Sequence, residues 1–584
     1  METTNLPDIP TLISLLNPPP LTNPHLPPSL PPTTIQTSTK ELYTSLPDHP
    51  LPLPFQSTVP EEQQQQQQQQ HHPPPLNSIL IHLIQHIIPS LSPSSLSPRY
   101  YGFVTGGCTP AARLADLVVS GYDQNVGVHL PAESVATAVE AGAGEMLWGL
   151  GGLLGMERGR GQGQGQGGGD RDGDGDGKEA FAGWKGGFTT GATAANVVGL
   201  AMGREWVVGE KGRRMRRMGK VGDDDDDDGV FSVGDMGLLE ACRVTEINNF
   251  QVLTTAPHSS LRKAAAVVGL GRRAVVDVGF GGGDGKEVEE DGGQMIGCKF
   301  DFERLEEGLK GVGEGKVSIV VVSCGEVNTG GFATHGYEEM ERIRKLCDEY
   351  GAWLHVDGAF GIYARLLEGS GPEFDRVASG GRGMELADSV AADAHKLLNV
   401  PYDCGFYFTR HPEMAERVFQ NPNAAYLDVG QASDGIQSPL NIGLENSRRF
   451  RALPVYATLV SYGRLGYVDM LQRQVRFARA VARYIHDHPD LEILPRSLQQ
   501  KKNVSSEIYI VVLFRAKDKV LNNELVKRIN ETLQIYVSGT VWEGEPASRI
   551  AVSNWQVDIE RDFEIVKRVL ESVLDIWKTR SKRT

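Results

Sequence analysis

His395 and Lys396 close a run of small and apolar residues, Ser389-Val390-Ala391-Ala392-Asp393-Ala394, and a turn ending at Pro401 follows them. The run has the length and composition of a buried strand, which puts the lysine at a strand end. Removing an ammonium from water lowers its pKa. A lysine that readily loses its proton can attack a carbonyl carbon and form a Schiff base. The alternative is a lysine whose stem lies on the core while its head reaches water. A second stretch, Trp353-Leu354-His355-Val356-Asp357-Gly358-Ala359-Phe360-Gly361, delivers an aspartate and then small residues. A carboxylate there can pair with a protonated pyridine nitrogen.

Three other stretches carry residue types that fit such chemistry. Phe188-Thr189-Thr190-Gly191-Ala192-Thr193-Ala194-Ala195-Asn196 opens a helix with small residues. N–H groups at a helix start bind phosphate, and the Thr193 hydroxyl is a further donor. An ordinary helix cap is the other reading. His258, in Ala256-Pro257-His258-Ser259-Ser260, stands between a strand and a helix. Its imidazole is flat and can donate a hydrogen bond. Tyr426, in Asn423-Ala424-Ala425-Tyr426-Leu427, is a loop phenol, either a general acid or an exposed loop residue.

The Asp-x-Ala of Asp357 to Ala359 and the distant His395-Lys396 together resemble the pyridoxal-phosphate-dependent decarboxylases of the aromatic-amino-acid and glutamate decarboxylase group. The resemblance runs from about Ser97 to about Arg568, interrupted by insertions. It implies the α/β architecture of fold-type I transferase-like enzymes, with a large, mostly parallel-sheet domain and a small C-terminal α/β domain. It also implies the cofactor pyridoxal 5'-phosphate, held on Lys396 as an internal aldimine. On the same basis Ala192, Thr193 and His395 meet the phosphate, Asp357 keeps the pyridine nitrogen protonated and Ala359 packs beneath the ring. His258 stacks on the ring and orients the substrate carboxylate, and Tyr426 returns a proton to Cα. The expected reaction is decarboxylation of an L-amino acid to an amine and carbon dioxide, in a homodimer with sites at the interface. Transamination or aldehyde formation on the same fold, and a catalytically silent scaffold, are the alternatives. A transaminase needs an arginine on the α-carboxylate, for which Arg549 is the candidate. The sequence departs from the family at Ala194, where an acidic residue is frequent, at Glu326 and Val327, often threonines, and at Pro454, usually a lysine.

These residues need elements that bring distant strand ends together. Apolar runs predict strands at Gln251–Thr255, Arg273–Val278, Val317–Ser323, Trp353–Asp357, Ser389–Asp393 and Phe406–Thr409. Helical spacing predicts Pro131–Leu150, Thr193–Arg204, Ser259–Val268, Phe302–Lys310 and Gly336–Tyr350. Alternation of the two implies a mostly parallel sheet covered on both faces. From about Ser447 a long helical pattern leads into strands at Ile508–Phe514, Val537–Trp542 and Arg549–Ser553, between helices at Asn522–Leu533 and Asp558–Trp577.

The expected organisation is therefore a tail over 1–75, a helical arm over 76–130, a cofactor domain over 131–446 and a small domain over 447–584. The tail is rich in Pro, Ser and Thr and holds the run Gln63 to Gln70 before His71-His72, too little apolar surface to fold. Leu76 to Ile88 has apolar residues at helical spacing and no Lys or Arg, which favours packing on a partner subunit over a membrane surface. Polar tracts near 159–177, 207–230 and 281–293 read as surface insertions. The net charge of −16, partly the run Asp223 to Asp228, argues against nucleic acid as a partner. Six scattered cysteines without a CxxC pair argue against a metal site or disulfide framework and for reduced thiols in the cytoplasm. No signal peptide and no membrane span are expected, and the remaining partner is the L-amino acid substrate.

Overall fold

A computed structural model describes residues 79–421 and 435–581, apart from 81, 89–90, 93, 149–152, 155–183, 220–230, 281–297 and 312–313. Its strands are β1 (Tyr100–Tyr101), β2 (Lys185–Thr189), β3 (Asn249–Thr254), β4 (Val275–Asp277), β5 (Lys316–Ser323), β6 (Trp353–Asp357), β7 (Ser389–Asp393), β8 (Gly405–Thr409), β9 (Leu491–Leu494), β10 (Val511–Ala516), β11 (Tyr536–Trp542) and β12 (Glu545–Ala551).

Strands β5, β6 and β7 are buried along nearly their whole length, as expected of apolar runs without polar alternation. Among the described residues they belong to a seven-stranded sheet of order β2-β8-β7-β6-β5-β3-β4. The pairs from β4 to β7 are parallel, and β8 and β2 close the sheet antiparallel. One face packs on the Ala192–Arg217 helix, whose Ala195, Val198 and Met202 meet Ile319, Trp353 and Ala391. The other face, with Val320, Leu354, Val356 and Phe406, packs on the Ala136–Trp148 helix and the long Ala452–Asp487 helix, which is kinked at Gly463.

Register sets the site. Ser323 pairs with Asp357, and Asp357 with Ala391, so Asp357 and Asp393 emerge at the same sheet edge. In open α/β sheets ligands bind at the carboxyl ends of the strands. The start of β7 is fixed by Asp388, 2.8 Å from Arg344, 2.9 Å from Arg410 and 3.0 Å from His411. Burial opposes its ionisation, yet these three partners hold its carboxyl well below the usual carboxylate range.

The second sheet has the order β1-β11-β12-β10-β9. Its core is separate, built on Phe477, Val512, Phe514, Val537, Ile550 and Leu570. Strand β1 pairs in parallel with β11, so the arm is stitched into the C-terminal sheet.

Several elements depart from the sequence-based expectation. The helix expected from Pro131 begins at Ala136, because Ser134 accepts the Ala136 N–H at 3.2 Å and Pro131 stays in the preceding turn. The helix expected to stop at Arg204 runs to Arg217, so 207–217 is helix and not insertion. Glu210 draws the basic residues onto it, with Arg213 at 3.1 Å and Arg214 and Arg217 at 3.0 Å. The strand expected at Arg549–Ser553 is β12, starting at Glu545 after a tight turn with β11. Of the helix expected over 76–88, 79–80 and 82–88 are described. They include a π-helical turn at Leu83–Ile87 with Leu83 and Ile88 exposed. The tail 1–75, the tracts 159–177 and 281–293, and Tyr426 lie outside the described residues. No described helix is long and apolar enough to cross a membrane.

Candidate active site

At the shared strand edge the structure forms a cavity of about 490 Å³. Its lining includes Ala192, Thr193, His258, Asp357, Ala359, His395 and Lys396, every described residue of the expected site. They come from four elements spread along the chain from Ala192 to Lys396, gathered by the sheet register.

Lys396 lies in the short Ala394–Leu397 helix that follows β7. Its Nζ is 2.9 Å from Asp393 Oδ2 and 5.6 Å from the Phe360 ring centroid. The arm holds this turn from the other side: a Cβ at Gly106 would fall 1.7 Å from the Lys396 carbonyl oxygen, so only glycine permits the approach. His395 packs against Tyr402 with centroids 4.5 Å apart and the rings tilted by 36°, and its Nδ1 accepts the Cys404 N–H at 3.4 Å. That leaves Nε2 toward the cavity, 3.5 Å from Asp393 Oδ1. Burial lowers the His395 pKa, with Asp393 opposing and Lys396 adding to the shift.

His258 caps the Ser259–Val267 helix, its Nδ1 accepting the Ser260 N–H at 3.2 Å. Nδ1 is therefore an acceptor and a neutral imidazole carries its proton on Nε2. Burial lowers its pKa, against the pull of Asp357. Asp357 ends β6; Asn196 Nδ2 donates to its Oδ2 at 3.0 Å and Ala359 N to its Oδ1 at 3.4 Å.

The Ala192–Arg217 helix starts at the cavity. The first N–H groups of any helix lack a carbonyl partner within it. Here the Ala192 N–H is taken by Asp393 Oδ1 at 2.5 Å. The expected phosphate seat thus already holds a carboxylate, a feature that sequence reading passed over. A Cβ at Gly191 would stand 3.2 Å from both Asp393 Oδ1 and His395 Cε1, so the bare glycine keeps the cradle open.

Two further residues matter. Arg549 is 4% exposed, its Nε donates to the Val327 carbonyl at 2.6 Å, and its Nη2 has no hydrogen-bond partner among the described residues. Burial lowers its pKa to about 10, with Glu326 partly compensating. Glu326, where the resemblance expected a threonine, is saturated by Asn328 and Thr329 donors at 2.8–3.1 Å and braces its loop. Asn196 and His355 were not singled out from the sequence. The available signal was the two-residue spacing of Trp353, His355 and Asp357, which puts all three on one face of a buried strand.

The set fits pyridoxal phosphate on structural grounds. His395 Nε2 and the Thr193 hydroxyl remain as donors for a phosphate beside the Ala192 N–H that Asp393 holds, an oriented carboxylate suits a pyridinium, and the Lys396 amine lines the same cavity. The orphaned Arg549 Nη2 leaves a cationic donor for a bound carboxylate.

Comparison with known proteins agrees. Residues 240–506 match the pyridoxal-dependent decarboxylase conserved domain. The chain is 26% identical over 373 residues to L-2,4-diaminobutyrate decarboxylase of Acinetobacter baumannii, covering 62% of this chain and 63% of that protein. It spans less than two thirds of the length of the curated relatives it matches first. Its fold is similar to that of Rhodiola rosea 4-hydroxyphenylacetaldehyde synthase (TM-score 0.62, 19% identity, 94% of this chain and 93% of that one). Catharanthus roseus tryptophan decarboxylase, solved with L-tryptophan, gives a TM-score of 0.63 at 18% identity, over 94% and 93% of the two chains. The cofactor of such a domain is pyridoxal phosphate. By its matched domain, its relatives and its sheet, the chain is similar to the pyridoxal-phosphate-dependent group II amino acid decarboxylases.

Proposed function

We propose that the protein is a carboxy-lyase that converts an L-amino acid to its amine and carbon dioxide, with Lys396 as the covalent attachment point of the cofactor. The observation that carries this reading is the convergence of Lys396, Asp357 and His258 on one cavity at the sheet edge. The cofactor supplies the electron sink that accepts the pair from the broken Cα–carboxylate bond. The protein's residues do the rest. Asp357 would keep the ring nitrogen protonated by its charge. His395 Nε2 and the Thr193 end of the helix would hold the phosphate, and Ala359 would pack against the ring. His258, whose pKa burial lowers, would contact the ring and offer Nε2–H to the substrate carboxylate. The buried Val104 and Phe360 in the lining would keep water from the reacting carbon. Tyr426 delivers the proton to Cα once carbon dioxide has left.

A homodimer follows the same reading. Leu114, Leu117 and Val118 on the Pro110–Tyr122 helix, with Tyr456 and Val460 on the long helix, are exposed apolar side chains on two helices that pack together. A second copy would cover them.

Transamination is the second reading, favoured by Arg549. A guanidinium that grips the α-carboxylate in the ring plane retains it, whereas decarboxylation needs that bond perpendicular to the ring. A panel of L-amino acids, assayed in parallel for carbon dioxide, amine, aldehyde and keto acid, tests both. Carbon dioxide with an equal amount of amine supports the lyase, and keto acid without carbon dioxide supports the transaminase.

A further inference from the structure

Behind Asp357 four side chains form an unbroken line of hydrogen bonds. Trp353 Nε1 donates to Ser389 Oγ at 2.9 Å, and Ser389 Oγ lies 2.7 Å from His355 Nδ1. His355 Nε2 lies 2.9 Å from Asn196 Oδ1, and Asn196 Nδ2 donates to Asp357 Oδ2 at 3.0 Å. All four residues behind the aspartate are fully buried.

One end fixes the direction of every bond. An ionised carboxylate only accepts, so Asn196 turns its NH2 to Asp357 and its Oδ1 to His355 Nε2, which must donate. The neutral ring then has a bare Nδ1, which accepts the Ser389 hydroxyl hydrogen, while Ser389 Oγ accepts from Trp353 Nε1. A flipped amide would set oxygen against oxygen at the aspartate and N–H against N–H at the histidine. Burial lowers the His355 pKa to about 3, which keeps the ring neutral and this polarity intact.

The covering helix is shaped around the line. A Cβ at Gly199 would fall 2.4 Å from His355 Cε1, and one at Gly203 would fall 2.8 Å from Trp353 Cδ1. Glycine within a helix costs about 1 kcal/mol relative to alanine. Two glycines one turn apart face the two rings of this line.

We propose that Asn196 and His355 are positioning residues for Asp357, holding Oδ2 so that the carboxylate stays ionised with Oδ1 turned to the cofactor's ring nitrogen. Among the described residues Oδ1 has only the long Ala359 hydrogen bond at 3.4 Å and is available for that partner. Loss of the Asn196 donor makes the carboxylate more basic and draws the shared proton off the ring nitrogen. The inference rests on the reading that the cavity holds pyridoxal phosphate with its nitrogen at Asp357.

The test loads the full-length protein with pyridoxal phosphate labelled with 15N in the ring and reads the nitrogen's NMR shift, beside steady-state kinetics. His355→Gln keeps a donor toward Asn196 and an acceptor for Ser389, whereas His355→Leu keeps neither. Wild type and His355→Gln are expected to give a protonated ring nitrogen. His355→Leu should move the signal toward the unprotonated position and lower kcat by at least about tenfold with KM within about twofold. If His355→Leu does not fold, Asn196→Ala carries the same expectation. A wild-type nitrogen signal in whichever of these two variants folds overturns the inference, as does an equal loss in the Gln and Leu variants. A wild-type protein that takes up no labelled cofactor overturns the cofactor reading itself, and the inference with it.

Discussion

Asp393 sits between the two groups that the cofactor must reach: Oδ2 is 2.9 Å from Lys396 Nζ and Oδ1 is 2.5 Å from the Ala192 N–H. A phosphate arriving at the helix start and an aldehyde arriving at the lysine both meet the same carboxylate. Like charges repel, so the carboxylate weakens the phosphate seat. Asp393→Asn keeps the shape and removes the charge. It should tighten cofactor binding by about tenfold, equivalent to ~1.4 kcal/mol, in a titration followed by cofactor absorbance. Weaker binding by the variant would show instead that the carboxylate helps to hold the cofactor.

Arg549 leads to a second expectation. Its Nη2 is buried and has no hydrogen-bond partner among the described residues, and its Nε bond to the Val327 carbonyl braces the Gly325–Gly330 loop. A bound carboxylate that satisfies Nη2 makes a charge-assisted hydrogen bond worth about 1.5–3 kcal/mol. Arg549→Gln should therefore raise KM roughly tenfold to a hundredfold, by the same estimate, while the cofactor spectrum stays unchanged. Unchanged KM for the best substrate would place the carboxylate elsewhere.

Much of this site is legible in the chain because strand ends carry it. Asp357 and Lys396 each close a run of apolar residues, and the bounds of β6 and β7 agree with those runs. The mostly parallel sheet is legible for the same reason. Asp393 is less so, since its partner Ala192 is 201 residues away and only register brings them together. His355 reads as one more core residue until the sheet sets Ser389 beside it and the helix sets Asn196 above it. The antiparallel β2 is harder still: Lys185-Gly186-Gly187-Phe188-Thr189 lacks a strand's apolar character and forms by pairing with β8. Arg204 was a poor helix end because Glu210, not local propensity, carries the helix into the basic block.

Stability should fall in acid through two histidines, the buried His355 and the half-buried His335. Burial holds His355 and His335 at about 3, below the 6.5 of an exposed imidazole. Between those values the unfolded chain binds protons that the folded chain does not. The stabilisation is complete above pH 6.5 and is lost as pH falls toward 3, with a slope of at most about 1.4 kcal/mol per pH unit for each histidine. Urea midpoints from pH 8 to pH 4 check this, and His335→Gln should flatten the acid limb. An acid limb unchanged in that variant would assign the loss to other groups.

Tyr426 separates amine formation from aldehyde formation. Tyr426→Phe keeps the ring and removes the phenolic acid. Carbon dioxide release should persist, while amine falls below carbon dioxide and aldehyde makes up the difference in the presence of oxygen. Equal carbon dioxide and amine at an unchanged rate would mean that another group protonates Cα.

The central claim is that Lys396 is the cofactor's covalent attachment point. Borohydride reduction of the full-length protein loaded with pyridoxal phosphate, followed by protease digestion and mass spectrometry, locates the attachment directly. A single pyridoxyl adduct on the peptide that holds His395 and Lys396, absent from Lys396→Ala, is the predicted result. A stable adduct on a different lysine, or one that survives in Lys396→Ala, would contradict the account.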